Sequence, residues 1–298
     1  NAMRIDTTSA DASPASADYL YLQYNMEGQD LQLFKKGTSS AEKFTLAFWV
    51  KSNKTGQANV EFKDKDNSNR HAIGSYTISS ADTWEHKIVV INADTTGAFG
   101  DDNGKSLNIN WWLDSGDNFT GVAEGDAAWL ANDADRANND GALQIARNTA
   151  NDWAITGIQL EVGEYTSSTI PPFQHESYGD NLVRCHRYFL YTGGGSAYQH
   201  HGSGVEVSST AAYMTTPLSC PFRASPSITA NNTSGGIVIY DGNTESAVTS
   251  VGTTNYSTNT SIVNVAVNAS GGGIDDGNGI TVYSNANSNA GFLFDAEL

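Results

Sequence analysis

The chain reads as an all-β protein: two β-sandwich domains joined by a proline-containing linker and one short helix. Three observations point there. Gly, Ser, Thr and Asn are abundant, only 16% of the 298 residues are charged, and apolar and aromatic residues are spread through almost the whole length. That is the composition of short strands closed by turns, not of a disordered chain. Apolar residues alternate with period two in one run after another. Pro171-Pro172 and a helix-start signal then interrupt this pattern once, beyond the middle. The length suits two ordinary domains, each able to bury a core without disulfide or metal staples.

Asn1-Ala2 ahead of Met3 resembles the remnant of a cleaved purification tag, and residues 1–17 are small and polar, an extended lead-in. No secretion signal is visible, and no apolar run reaches the ~20 residues of a membrane-spanning helix. Residues 18–165 form the first expected domain. DYLYLQY and LQLFK open it as strands, followed by FTLAFWVKS, in which Phe44, Leu46, Phe48 and Val50 share one side. QANVEFK, HAIGSYTI, WEHKIVVIN and SLNINWWL continue the alternation between Asn/Asp/Gly/Ser turns, and WAITGIQLEV closes it. About eight strands at this spacing predict a sandwich of jelly-roll type. Between Gly116 and Asn151 the periodicity fades into an Ala/Asn/Asp-rich excursion, expected as a long loop at one rim and a candidate binding feature.

Residues 166–192 form the linker. Proline cannot donate to a sheet ladder, so Pro171-Pro172 predicts an extended crossing. Ser177 followed three residues later by Asp180 matches a capping box, which starts a helix near Tyr178 with Leu182, Cys185 and Phe189 on one face. Gly193-Gly194-Gly195 ends it. Residues 193–298 then return to short strands: GVEVSS, AAYMTTPL, PSITA, GIVIYD, SAVTSV, SIVNVAVNA, GITVYS and GFLFDAEL. This second sandwich contains no lysine, and no repeat of 20–50 residues marks a solenoid or propeller.

The formal net charge is −17. Residues 1–175 carry 13 Lys/Arg against 24 Asp/Glu, and residues 176–298 carry 3 against 9, so neither part is basic overall. That excludes nucleic acid as the expected partner and disfavours insertion into anionic membranes. Cys185 and Cys220 lie in apolar surroundings outside any CxxC pair, the setting of free buried thiols, with a disulfide between them as the alternative.

Site chemistry is sparse. Asp64-Lys65-Asp66-Asn67-Ser68-Asn69 superficially matches a calcium loop, but Asn69 replaces the needed glycine and Ser75 the twelfth-position glutamate, so a polar hairpin turn is expected. Asp101-Asp102-Asn103-Gly104 and Asp275-Asp276-Gly277 also read as turns. No histidine shows zinc-ligand spacing, and His200-His201 is expected in a solvated loop. No nucleophile motif is present, and sequence alone does not pick out the carboxylate pair of a glycosidase. No catalytic residue, metal ligand or cofactor is therefore assigned. The aromatics carry more. In SLNINWWLD, Leu107, Ile109, Trp111 and Leu113 share one face, which turns Trp112 outward with Asn108 and Asn110. An aromatic ring beside amide hydrogen-bonders is the chemistry of sugar recognition, so Trp112, Asn108 and Asn110 are candidate carbohydrate-binding residues. Trp129, in the excursion, is the second candidate platform. Trp49, Trp84 and Trp153 sit inside strand patterns and are expected in the core.

Several phrases in order, EGQDLQLFKKGTSS, LAFWVKSNKTG, SYTISSADTWEHKIVVINADTTGAF, ITGIQLEVG and PFQHESYGDNLVRCHRYF, resemble tail-fibre and receptor-binding proteins of tailed bacteriophages, especially marine ones. The resemblance spans most of residues 4–191. It implies a carbohydrate-binding-module-like jelly roll followed by a variable tip domain, in a virion protein of the phage tail. It further implies a homotrimer bound to other tail proteins that attaches to bacterial surface polysaccharide or lipopolysaccharide without cleaving it. Modules of this kind often carry a structural calcium, for which the sequence assigns no position. The alternatives are a capsid-decoration or tail-spacer protein without sugar binding, and a glycan-degrading tailspike.

Overall fold

The computed structural model describes residues 1–121, 125–134, 137–138, 143–231, 233–253, 262–269 and 277–297, with side chains left aside at 233–234, 253 and 262–266. The chain is all-β and divides into two compact units, residues 1–174 and 175–297.

The first unit contains β1 (Met3–Asp6), β2 (Tyr19–Glu27), β3 (Phe44–Ser52), β4 (Gly56–Asp64), β5 (His71–Ile78), β6 (Glu85–Ile91), β7 (Lys105–Ser115) and β8 (Asp152–Val162). They form two antiparallel four-stranded sheets, ordered β1-β8-β3-β6 and β2-β7-β4-β5. Strand alternation decides what meets between them. Phe44, Leu46, Phe48 and Val50 of β3 are all buried, as are Val60 and Phe62 of β4 and Leu107, Ile109, Trp111 and Leu113 of β7. Rings interlock across the gap, with Phe44 edge-on to Phe62 at 5.2 Å and Phe48 edge-on to Trp111 at 6.0 Å. In β8 the chain turns through Gly157 at φ +58, a conformation glycine adopts without strain, and the register against β3 shifts there.

Four expectations change here. The lead-in joins the sheet, because Met3–Asp6 pairs with Asp152–Ile155. LQLFK is not a strand: Gly28–Phe34 forms a 3-10 helix, and the three-residue spacing of Leu31 and Phe34 puts both inward before Lys35 turns left-handed at φ 50. Trp49 and Trp84 are exposed, not core, at 44% and 39%; Trp49 stacks on His86 at 5.0 Å. Residues 64–70 do form a hairpin turn between β4 and β5, whereas Asn103-Gly104 precedes β7 on a crossing from β6 in the other sheet.

A buried ammonium ties this unit together. Lys36 Nζ donates to Asp64 Oδ2 at 2.6 Å, Thr96 O at 2.9 Å and Gly97 O at 2.8 Å, and lies 3.0 Å from Asp94 Oδ2. The rings of Trp129 and Phe99 lie 4.9 and 5.3 Å away. Two carboxylates and two carbonyls resemble the oxygen shell of a calcium ion, and here the chain supplies the cation itself.

In the second unit, α1 (Tyr178–His186) precedes β9 (Phe189–Tyr191), β10 (His200–Ser208), β11 (Ala211–Pro217) and β12 (Ser227–Asn231). A single turn at Thr233–Gly236 leads to β13 (Ile237–Tyr240), β14 (Glu245–Thr253), β15 (Ile262–Ala269), β16 (Gly279–Ser284) and β17 (Gly291–Asp295). Six strands close into a ring, β10-β11-β15-β14-β13-β16, and β12-β17-β9 form a separate sheet. Both sheets contribute to one core, with Met214, Ile237, Val248, Val267 and Val282 beside Phe292, Phe294 and Ile228. Ser177 caps α1 by accepting Asp180 N–H at 3.1 Å and donating to its carboxylate at 2.7 Å. The helix buries no residue, and Phe189 lies in β9 rather than on it. Thus residues 166–174 fall with the first unit, while the helix and β9 fall with the second.

Both cysteines are free thiols, but Cys185 is exposed and Cys220 half-buried, because the helix that carries Cys185 has no buried face. His200 and His201 lie on β10, not in a loop. Alternation turns His201 inward, edge-on to Phe292 at 5.4 Å, and leaves His200 outside. Burial and the neighbouring His200 push the His201 pKa down from 6.5 to about 4, against the Thr192 backbone, which raises it. Asp275 and Asp276 lie outside the described residues.

Two outcomes follow from these buried charges. Lys36→Met leaves Asp64 and Asp94 without their shared cation, and should cost the first unit about 3–5 kcal/mol in denaturant unfolding. All six tryptophans fall in residues 1–174, so their fluorescence isolates that unit. His201 binds a proton less readily folded than unfolded, so its contribution is complete above pH 6.5 and fades as pH falls toward 4. Scanning calorimetry across that range should show the second unit's transition falling with pH, and His201→Phe should flatten the slope.

Candidate functional site

The first unit carries a groove of about 300 Å³ on the outward face of the β2-β7-β4-β5 sheet. The sheet register builds its floor. Tyr21 stands opposite Trp112; Gln23 opposite Asn110, which pairs on its other side with Glu61; and Asn25 opposite Asn108, which pairs with Lys63. Opposed residues on one face are neighbours, so the groove floor is a set of cross-strand rows.

Glu61 anchors these rows. It is fully buried, yet both oxygens are engaged. Oε1 meets His71 Nδ1 at 2.8 Å and Lys63 Nζ at 3.0 Å, and Oε2 accepts from Asn110 Nδ2 at 2.9 Å and Trp112 Nε1 at 3.2 Å. His71 Nε2 accepts Asp133 N–H at 3.3 Å, so the ring carries its proton on Nδ1 and donates it to Glu61. Burial alone would raise the Glu61 pKa, but the His71 bond, the Lys63 charge and the Asn110 bond outweigh it and hold the carboxyl at about 2.

The wall beyond β5 is the described part of the long excursion. Ala127 N–H bonds Ile73 O, and Leu130 and His71 exchange backbone bonds at 3.0 Å in both directions. Gly125 makes this approach feasible, since a Cβ there would lie 2.3 Å from Ile73 O. Covering the edge of β5 also removes an unpaired strand edge. Phe119, Asn132, Ala134 and Ala137 from this excursion line the groove.

Of the predicted site residues, Trp112, Asn108 and Asn110 come together in the groove, each only 3% exposed. They form its floor. The accessible platform is Tyr19 and Tyr21, stacked at 5.1 Å and 6°, with the Trp112 ring edge-on 5.1 Å from Tyr21 and Phe119 edge-on 5.6 Å from Tyr19. Tyr19 is 57% exposed. Trp129 does not belong to the groove. Its ring packs on Phe44 and Lys36 in the core and its indole N–H donates to Asn92 O at 3.0 Å, because the excursion turns it inward. The sequence reading missed the two tyrosines, although DYLYLQY carries their signal: Leu20 and Leu22 pack on the core, so Tyr19, Tyr21 and Gln23 take the other side.

Lys63, Lys65 and Lys105 line the groove as well. Lys65 has a lowered pKa from burial and from the charges of Lys63 and Lys105, each of which exceeds the opposing effect of Glu61. Among the described residues, no group of three or more His, Cys, Asp or Glu side chains is arranged to hold a metal ion.

No family model matches the chain, and no curated protein matches it. Among solved structures, a "putative secreted protein" from Parabacteroides distasonis aligns over 99% of this chain and 86% of its own, at 9% identity and TM-score 0.21. Oxalate decarboxylase from Bacillus subtilis aligns over 99% and 76%, at 10% identity and TM-score 0.12. That of Lactobacillus farciminis aligns over 99% and 86%, at 12% identity and TM-score 0.11. At such TM-scores these likenesses carry no argument about fold or function.

The buried carboxylate makes the groove's integrity acid-sensitive. Glu61 has a folded pKa of about 2, below its ordinary 4.5. Its contribution is therefore full above pH ~4.5 and lost as pH falls toward 2, on the order of 3 kcal/mol in all. Tryptophan-monitored unfolding between pH 5 and 2 should show this loss. Glu61→Gln should remove the slope and lower stability at pH 7 by a similar amount.

Proposed function

We propose that this chain is a receptor-binding or tail-fibre protein of a tailed bacteriophage, whose first unit binds bacterial surface glycan in the groove without cleaving it. The observation that carries the reading is the groove itself: a stacked Tyr19–Tyr21 pair beside a floor of amides, on a sheet that aromatic and aliphatic packing makes rigid. Sugar rings present apolar C–H faces and a fringe of hydroxyls, which such a surface matches with ring contact and planar hydrogen bonds. The sequence resemblance to phage tail proteins supports the same reading and supplies its biological setting.

The non-catalytic part rests on Glu61. A glycosidase needs two carboxyl groups roughly 5–10 Å apart, one protonated near neutral pH. Glu61 is the one carboxylate among the described residues lining the groove, it is saturated by four donors, and it stays ionised down to about pH 2. It positions its neighbours and has no proton to give. Shallow sites of this kind gain firm attachment when several copies engage one surface.

Titration calorimetry of the chain with surface polysaccharide from host bacteria tests this. Binding should be detectable, and Tyr19→Ala or Tyr21→Ala should weaken it about tenfold, a loss of ~1.4 kcal/mol, with little change in unfolding for the exposed Tyr19. Release of reducing ends would overturn the non-catalytic assignment. Antibody labelling of virions at the capsid instead of the tail would reject the tail assignment.

A further inference from the structure

Nine lysines serve the whole chain, and three of them, Lys63, Lys65 and Lys105, line this one groove. The concentration runs against a formal net charge of −17. Glu61 offsets one of these three charges, that of Lys63 at 3.0 Å, and leaves those of Lys65 and Lys105. Its other bonds go to His71, Asn110 and Trp112, it is fully buried, and it is the one carboxylate among the described residues lining the groove. Lys63 itself stays about one quarter exposed, and Lys65 is exposed. The charges of Lys63 and Lys105 both act on Lys65 against the smaller effect of Glu61, so repulsion among the three raises the free energy of the unliganded groove. A negative group placed among them relieves that repulsion and gains charge-assisted hydrogen bonds.

The positions along β7 separate two functions. Lys105 opens the strand, and Trp112 lies seven residues further, about 23 Å at ~3.3 Å per residue. Tyr21 is the register partner of Trp112, and Tyr19 that of Ser115. One end of the floor is therefore aromatic and the other ends in Lys65 and Lys105, with Asn110, Gln23, Asn108 and its register partner Lys63 between them. That length exceeds a single sugar ring.

We infer that the groove takes an anionic oligosaccharide, with a sugar ring on Tyr19–Tyr21 and a carboxylate or sulfate group at the Lys63–Lys65–Lys105 end. This rests on the glycan-binding reading above and adds the chemical class of the glycan. The shared chemistry is a fixed oxyanion on a sugar chain, which uronic acids and sulfate esters both supply.

Calorimetry of the full chain at 0.15 M and 0.5 M NaCl decides it, with two matched pairs of probes. One pair is a hexameric polyuronate and its carboxyl-reduced neutral form. The other is a sulfated galactan oligosaccharide and its desulfated form. At least one charged probe should bind tenfold or more tighter than its neutral partner, with the preference shrinking at the higher salt. Which pair shows the preference identifies the anion. Lys65→Ala with Lys105→Ala should bring the charged-to-neutral ratio within about twofold, and Lys105→Glu should push it below one. Equal binding of charged and neutral probes, still sensitive to Tyr21→Ala, would overturn the anionic assignment and leave glycan binding standing. Absence of binding to all four probes and to host polysaccharide would overturn both.

Discussion

The groove depends on one buried carboxylate. Glu61 sits on β4 with no solvent contact, and a bare charge there would cost several kcal/mol. Four donors make it tolerable, and each is thereby fixed in place. Trp112 is held by its indole N–H, Asn110 by its amide, His71 in one tautomer, and Lys63 by its ammonium. His71 in turn receives Asp133 N–H and pairs its backbone with Leu130, which ties the excursion to the sheet. The floor and one wall of the site are thus organised around a single charge. That charge acts at a distance too, since burial, Tyr19 and Glu61 together raise the pKa of Tyr21 and keep the platform's hydroxyl protonated.

Strand β4 meets the same difficulty on its other face. Asp64 points inward, is also fully buried, and is answered by Lys36 with help from the Asp66 and Asn67 amides. The two solutions differ in a way that suits their places. The inward one is closed: ammonium, two carboxylates and two carbonyls, capped by the rings of Trp129 and Phe99. The outward one leaves part of Lys63 in water, and its hydrogen-bonding partners double as the groove floor. One network holds the sandwich together, and the other shapes a surface.

Much of this was legible in the sequence because the signals were local. Period-two alternation placed nearly every strand of both units, and Ser177 with Asp180 announced the start of α1, though the helix ends at His186, short of Phe189. The outward turn of Trp112, Asn108 and Asn110 followed from the buried neighbours on β7 and led straight to the groove. What alternation cannot report is depth. It separates two faces of a strand, but whether the outer face is open, floored or covered depends on chains far away in sequence. Trp112 therefore lies beneath Tyr19 and Tyr21, Trp129 packs in the core against Lys36, and Trp49 stays exposed although Thr45 and Ala47 on the same face of β3 are buried. The 3-10 helix at Gly28–Phe34 was missed because four alternating residues fit a strand and a tight helix equally well.

Charge shows the same gap between average and place. A net charge of −17 argues against nucleic acid and anionic membranes, since those partners meet a broad surface. A groove is not a broad surface. At physiological ionic strength the screening length is about 8 Å, so a group seated between β4 and β7 responds to the lysines beside it and barely to carboxylates on the far sheet. Against that overall acidity, the recess lined by Lys63, Lys65 and Lys105 is a place where a negative group gains by binding.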